Sequence, residues 1–417
     1  MIFCYLCIEI IIEFKMKRIS SILLRTLFLL LFSLHIHAQD QYRYSRRIAH
    51  YVDFLRGQNT SGVDYIFQLF EKYDLVVICE RMHPEYTQYD FFFQIVTDPR
   101  FAEIGGKIYT EMFSMAGTKM WRRLDFTEDE ATVRKVIDSI NFNTNVWPSQ
   151  ENRNMRSFLT RLYYFNREQP ADKRIEWMGT DDEFLNWYNI HTQEDIERWN
   201  EMFTPARNLI MANNIRNDFI NNNRKKGLVI MNYRHSFMFD VWNSRAENPM
   251  RGPTSTARIL NFTPELNGRV VNVWLNEVNT KGNPFPFLPV ANGKLDAAFK
   301  VLGNPSLGFD MESSPLGEEP FEIWPNRFLR HDRNFKDVFH GFVFFNPIEE
   351  HRWFQFFPEY YSIPENREEF IRRWNLIGNR TEVGRVNVSF LDKQVSNVPY
   401  RRHRAAQRRV NRWLRNN

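Results

Sequence analysis

The chain has 417 residues, 43% apolar and 25% charged, with only 17 Gly and 19 Pro, a balance that excludes a disordered, collagen-like or low-complexity polymer. Past the N-terminus no stretch has the roughly 20 uninterrupted apolar residues that a spanning helix needs, which excludes a multispanning transporter or channel. The net charge of +5 hides a change of sign: residues 1–38 carry +2 and residues 401–417 carry seven Arg and no acid, leaving −4 on residues 39–400. With a mildly acidic body, no nucleic-acid groove and no nucleic-acid partner are expected.

The N-terminus reads as an export signal. Met16-Lys17-Arg18 is its charged start, residues 27–34 its short apolar region, and Ala38 before Gln39 its cleavage point; residues 1–15 read as an over-extended start. Export to the periplasm or the medium is expected, without a lipid anchor, because no Cys stands at the cleavage point. Cys79 is then the one cysteine of the mature chain, so no intrachain disulfide can form and the core must hold the fold by itself. Residues 39–400 are expected to form a single α/β domain, followed by a basic, solvated tail over 401–417 that can make weak contact with an anionic surface.

In chain order, residues 43–72 have a helical, polar pattern, and residues 74–79 are a continuous apolar, β-branched run that reads as a buried strand. A helix is expected from Pro84 to about Val96, then a strand over 107–111 entered from Gly105-Gly106. Helical patterns follow over 127–140 and 150–168, a strand over 174–178, and one long helix over 193–223. Three more strands are expected over 227–231, 269–275 and 341–345, with loops over 246–268 and 303–320. Apolar strands alternating with helices predict an α/β fold: a mixed, largely parallel sheet flanked by helices on both faces, with an active-site cleft at the carboxyl ends of the strands.

Polar groups stand at those carboxyl ends: Glu80 and His83 just past the first strand, Glu111 at the end of the second, Asp181 after the third, His235 after the fourth. Such a set supports hydrolysis. An imidazole takes a proton from water near neutral pH, a carboxylate orients the ring, and a second His or Arg234 can stabilise an oxyanion. Two His and two or three carboxylates also suit a divalent metal, and the residues alone leave both open. Zincin, Walker, dinucleotide-glycine, nucleophile-elbow and paired CxxC patterns are absent. The aromatic content is high, with 38 Phe, 16 Tyr and 11 Trp; residues 324–374 either pack in the core, the default, or wall a pocket for an apolar ligand.

Glu80-x-x-His83 after an apolar strand, Glu111, Gly179-x-Asp181, Arg207-Asn208-x-x-Met211-Ala212-x-Asn214 and His235 together resemble the erythromycin esterase family, which is grouped with the TraB/TIKI metalloproteases and ChaN-like haem-binding proteins. The resemblance spans about residues 70–345. It implies an α/β hydrolase acting on a small-molecule ester, with His83 as the water-activating base, Glu80 and Glu111 as its partners or metal ligands, and His235 opposite. Asp181, Arg207, Asn232 and Arg234 would bind substrate or support the site. A divalent ion, if used, would sit on Glu80, His83, Glu111 and His235. The alternative it implies is a haem- or other ligand-binding protein without turnover. Cys79 and Asn232 depart from the family pattern, Cys79 standing where Gly is usual and Asn232 where the esterase branch has His.

Overall fold

The structure is a computed structural model and describes residues 43–83, 85–146, 153–203, 206–238, 254–280, 287–322, 333–352, 360, 362–378 and 404–415. The leader expected over residues 1–38 lies outside the described residues. Among the described residues no helix is long and apolar enough to cross a membrane.

Seven strands form the central sheet: β1 (Leu75–Glu80), β2 (Gly106–Ser114), β3 (Glu176–Asp181), β4 (Lys226–Asn232), β5 (Val270–Leu275), β6 (Leu307–Asp310) and β7 (Gly341–Phe344). Their order is β3-β2-β4-β1-β5-β7-β6, and every pairing is parallel except the β7–β6 edge. This is the expected mixed, largely parallel α/β sheet. All six residues of β1 are buried, and its side chains alternate between the two faces. Val76 and Ile78 pack among Phe91, Phe92 and Ile95 on one side, while Leu75 and Val77 meet Met211 and Ile215 on the other. Cys79 is fully buried, as the apolar run implied. Of the aromatics in residues 324–374, Phe344 stacks on Phe299 in the core, and residues 353–359 lie outside the described residues.

Four differences from the sequence reading have physical causes. The helix expected from Pro84 begins only at Gln88, because the Glu85 carboxylate holds the N–H groups of Thr87 and Gln88 in a turn. The single helix over 193–223 is two, Gln193–Phe203 and Arg207–Asn221, with helix-breaking Pro205 between them in sequence. The loop expected over 303–320 contains β6, whose Gly308 lets Tyr65 lie against the strand: a Cβ there would sit 2.4 Å from Tyr65 Cβ. The loop expected over 246–268 contains the helix Thr256–Phe262.

The tail corrects the expectation of a solvated segment. Helix Arg404–Asn411 docks through Ala406 and Val410, both buried, in the cluster that holds Leu295 and Phe299. Trp413 Nε1 donates to Asn292 O at 2.9 Å, and Leu414 pairs with Tyr44. Arg404 and Arg408 stay exposed, so the charge that suggested solvation lines only the outer face of an amphipathic helix. Deleting residues 401–417 therefore lowers stability, by about 2 kcal/mol for the Val410 and Ala406 burial alone. A thermal melt identical to that of the full chain would contradict this docking.

Candidate active site

The chain order makes a crevice beside β1. From β1 the chain moves to β2 and β3 on one side, returns through β4, and crosses β1 to β5. Connections thus diverge at the carboxyl end of β1, the position where open α/β sheets form clefts. Glu80 ends β1, Glu111 lies in β2, Asp181 ends β3 and Asn232 ends β4, so four adjacent strands bring the expected residues together.

Glu80 Oε1 lies 2.6 Å from His83 Nδ1. A carboxylate accepts only, so Nδ1 carries the proton of this bond, and Nε2 is left toward the cleft. His83 Nε2 is 3.9 Å from Glu111 Oε1, beyond hydrogen-bond reach. The orienting partner of His83 is thus Glu80 rather than Glu111. The side chain of His83 is 13% exposed, against 2–3% for Glu111 and Glu80, which makes the imidazole the solvent-facing member of this trio.

Glu111 instead anchors the opposite wall. Its Oε1 accepts from Arg207 Nη1 at 3.1 Å and lies 3.2 Å from His235 Nε2, and its Oε2 accepts from the Asn232 N–H at 2.8 Å. Arg207 also grips Asp181 with two bonds, Nε to Oδ1 at 2.6 Å and Nη2 to Oδ2 at 2.8 Å. The helix break before Arg207 places this guanidinium in the first turn of the second helix, over the ends of β2 and β3. His235 Nδ1 pairs with Asn208 Oδ1, and the Asn208 amide is fixed by donating to Thr254 O at 2.8 Å. The acceptor at Nδ1 leaves His235 Nε2 turned to Glu111. Asn232 Nδ2 donates to Arg81 O at 3.0 Å, tying β4 to the turn after β1. The side chain of Arg234 lies outside the described residues.

Backbone irregularity aims Glu111. The β2–β3 register shifts between Thr110 and Ser114, a bulge of the kind that redirects side chains beside active sites. Met112 within it has φ 79°, a left-handed conformation that costs a non-glycine residue on the order of 1–3 kcal/mol. Its N–H donates to Asp181 Oδ2 at 3.2 Å, one of the contacts that hold it there. Gly179 permits the close approach, since a Cβ would meet Phe113 O at 2.6 Å.

A second layer holds His83. Arg81, fully buried, donates to Glu85 Oε2 at 2.9 Å, to Asn276 Oδ1 at 2.7 Å and to Asn346 Oδ1 at 2.8 Å. Glu277, whose carboxyl burial pushes up to about 8, accepts from the Met82 N–H at 2.8 Å. Asn154 Nδ2 bridges His83 O and Glu85 O. The sequence analysis does not single these residues out; the one available signal is the charged run Glu80, Arg81 and Glu85 after an otherwise apolar strand.

Charge states follow from burial and neighbours. Burial lowers the His83 value, but Glu80 and Glu111 outweigh it and hold the imidazole above its ordinary 6.5. Burial raises the Glu80 carboxyl in spite of His83. Burial also works against the Glu111 carboxylate, yet His235, Arg207 and His83 bring it down to about 2. Arg207 is held above its ordinary value, since Asp181 and Glu111 outweigh its burial. The site therefore pairs a fixed anion and cation on one wall with a histidine–carboxylate dyad on the other.

No family model and no curated protein matches the chain. Among solved structures, the chain is similar to a protein from Bacillus cereus at 11% identity, over 72% of this chain and 97% of that one, with a TM-score of 0.48. It is also similar to the erythromycin esterase EreC in its open conformation, at 10% identity, over 73% and 97%, with a TM-score of 0.43. ChaN of Campylobacter jejuni with cofacially bound haem matches at 12% identity, over 55% and 91%, with a TM-score of 0.29. These likenesses are loose, and the chemistry of the site rests on its own geometry.

Proposed function

We propose that this protein is an exported hydrolase of small-molecule esters, in the manner of the erythromycin esterases, with His83 as general base. The observation that carries the reading is the Glu80–His83 pair: Nδ1 is held at 2.6 Å by a buried carboxylate while the ring keeps access to solvent. Neutral His83 takes a proton from water at Nε2, and the water oxygen attacks the ester carbonyl carbon. The charge that develops on the carbonyl oxygen is met by the Arg207 and His235 wall. The imidazolium, stabilised by Glu80, then returns its proton to the leaving alkoxide as the C–O bond breaks, giving acid and alcohol. The export-signal pattern in the sequence of residues 1–38 supports action outside the cytoplasm, in the periplasm or the medium.

A divalent ion is the competing way to activate water. Donor atoms of Glu80, His83 and Glu111 lie within 4.8 Å of one another, close enough for one ion. The donor set fits poorly, however. Both oxygens of Glu111 already accept hydrogen bonds, one of them from a guanidinium at 3.1 Å, so an ion bound there would be set beside a fixed positive charge. Of the Glu80 and Glu111 oxygens, only Glu80 Oε2 is without a hydrogen bond. In this reading the Glu80–His83 pair, and not a metal, activates the water.

The test is an ester panel, including macrolide lactones and nitrophenyl esters, run before and after dialysis against EDTA. Turnover that survives chelation and disappears in His83→Ala supports the reading. Loss on chelation with recovery on adding zinc or manganese would assign the water to a metal. No turnover of any ester, together with a Soret band on titrating hemin, would replace the hydrolase with the haem-binding alternative.

A further inference from the structure

The face formed by helices Glu130–Asn143 and Arg153–Arg167 carries a groove whose lining includes none of Glu80, His83, Glu111 and His235. Two adjoining cavities of about 640 and 740 Å³ share Glu130, Arg134, Asp138, Tyr360 and Ile363 along their length. Each is of the size that holds a small-molecule ligand. Four tyrosines line them: Tyr86 and Tyr164 the first, Tyr188 the second, and Tyr360 both. Tyr188 is 54% exposed and Tyr164 36%, unusual exposure for large rings that could pack inward.

These rings are ordered before any ligand arrives. The Tyr188 hydroxyl pairs with Ser139 Oγ and accepts from Asn143 Nδ2 at 3.0 Å. The Tyr86 hydroxyl lies 3.2 Å from Ser157 Oγ, Tyr360 stacks on Phe142, and Tyr164 packs edge-on against Tyr163. Rigid rings lose little entropy on binding.

Three of the four cations that line the groove, all but Lys135, are paired with carboxylates. Arg134 pairs with Glu130 at 2.8 Å, Arg156 with Asp138, and Arg161 with Asp90 at 2.7 Å. A phosphate or carboxylate ligand would have to break one of these pairs or rely on the exposed Lys135 alone, so the groove suits a neutral occupant. Because the ion pairs and the Ser139, Ser157 and Asn143 groups offer donors beside acceptors, that occupant must be rich in hydroxyls. Flat C–H faces for the rings, hydroxyls for the rim and no charge describe a sugar chain. We propose that this groove binds a neutral oligosaccharide.

The binding stands apart from ester hydrolysis, so the test reads binding and not turnover. The full-length protein is titrated by calorimetry with hexamers of α-1,4-, β-1,3- and β-1,4-linked glucose and of β-1,4-linked N-acetylglucosamine. At least one is expected to bind saturably, with a millimolar or tighter dissociation constant. Tyr164→Ala and Tyr188→Ala should each weaken it about fivefold, the scale of one lost aromatic contact, with the melting temperature unchanged. Phe262→Ala, another exposed aromatic but on the Thr256–Phe262 helix, should leave binding as in the wild type. Absence of saturable binding by all four hexamers, binding unaltered in both tyrosine variants, or tighter binding of an anionic galacturonate hexamer would each overturn the proposal.

Discussion

His83→Ala is expected to lower ester turnover on the order of 10²-fold or more, the scale of losing a positioned general base, in a protein that still folds. Folding is expected to survive because the removed ring is the most exposed of the trio, and the Glu80 carboxyl, already raised by burial, is favoured further in its neutral form when the charge of its partner goes. The pH profile makes the role specific. Glu80 and Glu111 hold the proton on His83 above its ordinary 6.5, and only the neutral ring can accept one, so the rate must rise with pH through a midpoint above that value. Glu80→Gln removes the larger part of this pull. It should move the midpoint toward lower pH and at the same time lower the plateau, since the imidazolium loses its stabilising charge. A purely structural Glu80 would lower stability and leave the midpoint in place. Groups acting as a unit are not additive, so the double variant should be little slower than His83→Ala alone. Wild-type turnover in folded His83→Ala would remove this histidine from the chemistry.

The parts of the site that were legible in the sequence are those that parallel-sheet geometry delivers automatically. β1 was readable because a strand buried on both faces is apolar at every position, and Glu80, Glu111 and Asp181 were readable because strand ends in one sheet lie side by side. Which residue pairs with His83 was not readable. Glu80 and Glu111 both stood as its partners, but the bulge over residues 110–114 turns the Glu111 carboxylate to Arg207 and His235, and the local spacing of three residues brings Glu80 to the ring. The clamp of Arg81, Glu85 and Asn154 was hidden for a different reason: its members are close in space through side chains that reach across a turn, with no periodic pattern to mark them. In the tail, Ala406, Val410 and Trp413 did form a stripe at helical spacing. Seven Arg around it masked the signal, since a three-residue stripe in a charged helix carries little weight by itself.

Arg207→Ala is expected to destabilise the fold by about 3–5 kcal/mol, the cost of breaking a buried ion pair from one side. The side chains of Asp181 and Glu111 are 0% and 2% exposed, so neither can recover its lost partner from water. Acid stability reports the same loss. The folded value of Glu111 lies at about 2, below its ordinary 4.5, so its stabilising contribution is complete above about pH 4.5 and drains as pH falls toward 2. Without Arg207 one of the charges that holds it low is gone, the folded value rises, and less stability remains to be lost over that interval. Urea unfolding at pH 7 and at pH 3 should therefore show a smaller difference in the variant than in the wild type. Arg207→Lys keeps the charge but cannot reproduce the two bonds to Asp181, so it should fall between the two proteins and supplies the measurement if the alanine variant does not fold. Pairing Arg207→Met with Asp181→Asn removes both charges together, leaving Glu111 its bonds from His235 and Asn232, and should recover part of the stability. If Arg207→Ala costs under about 1 kcal/mol, the scale of an exposed pair, the wall opposite His83 is not held by this guanidinium.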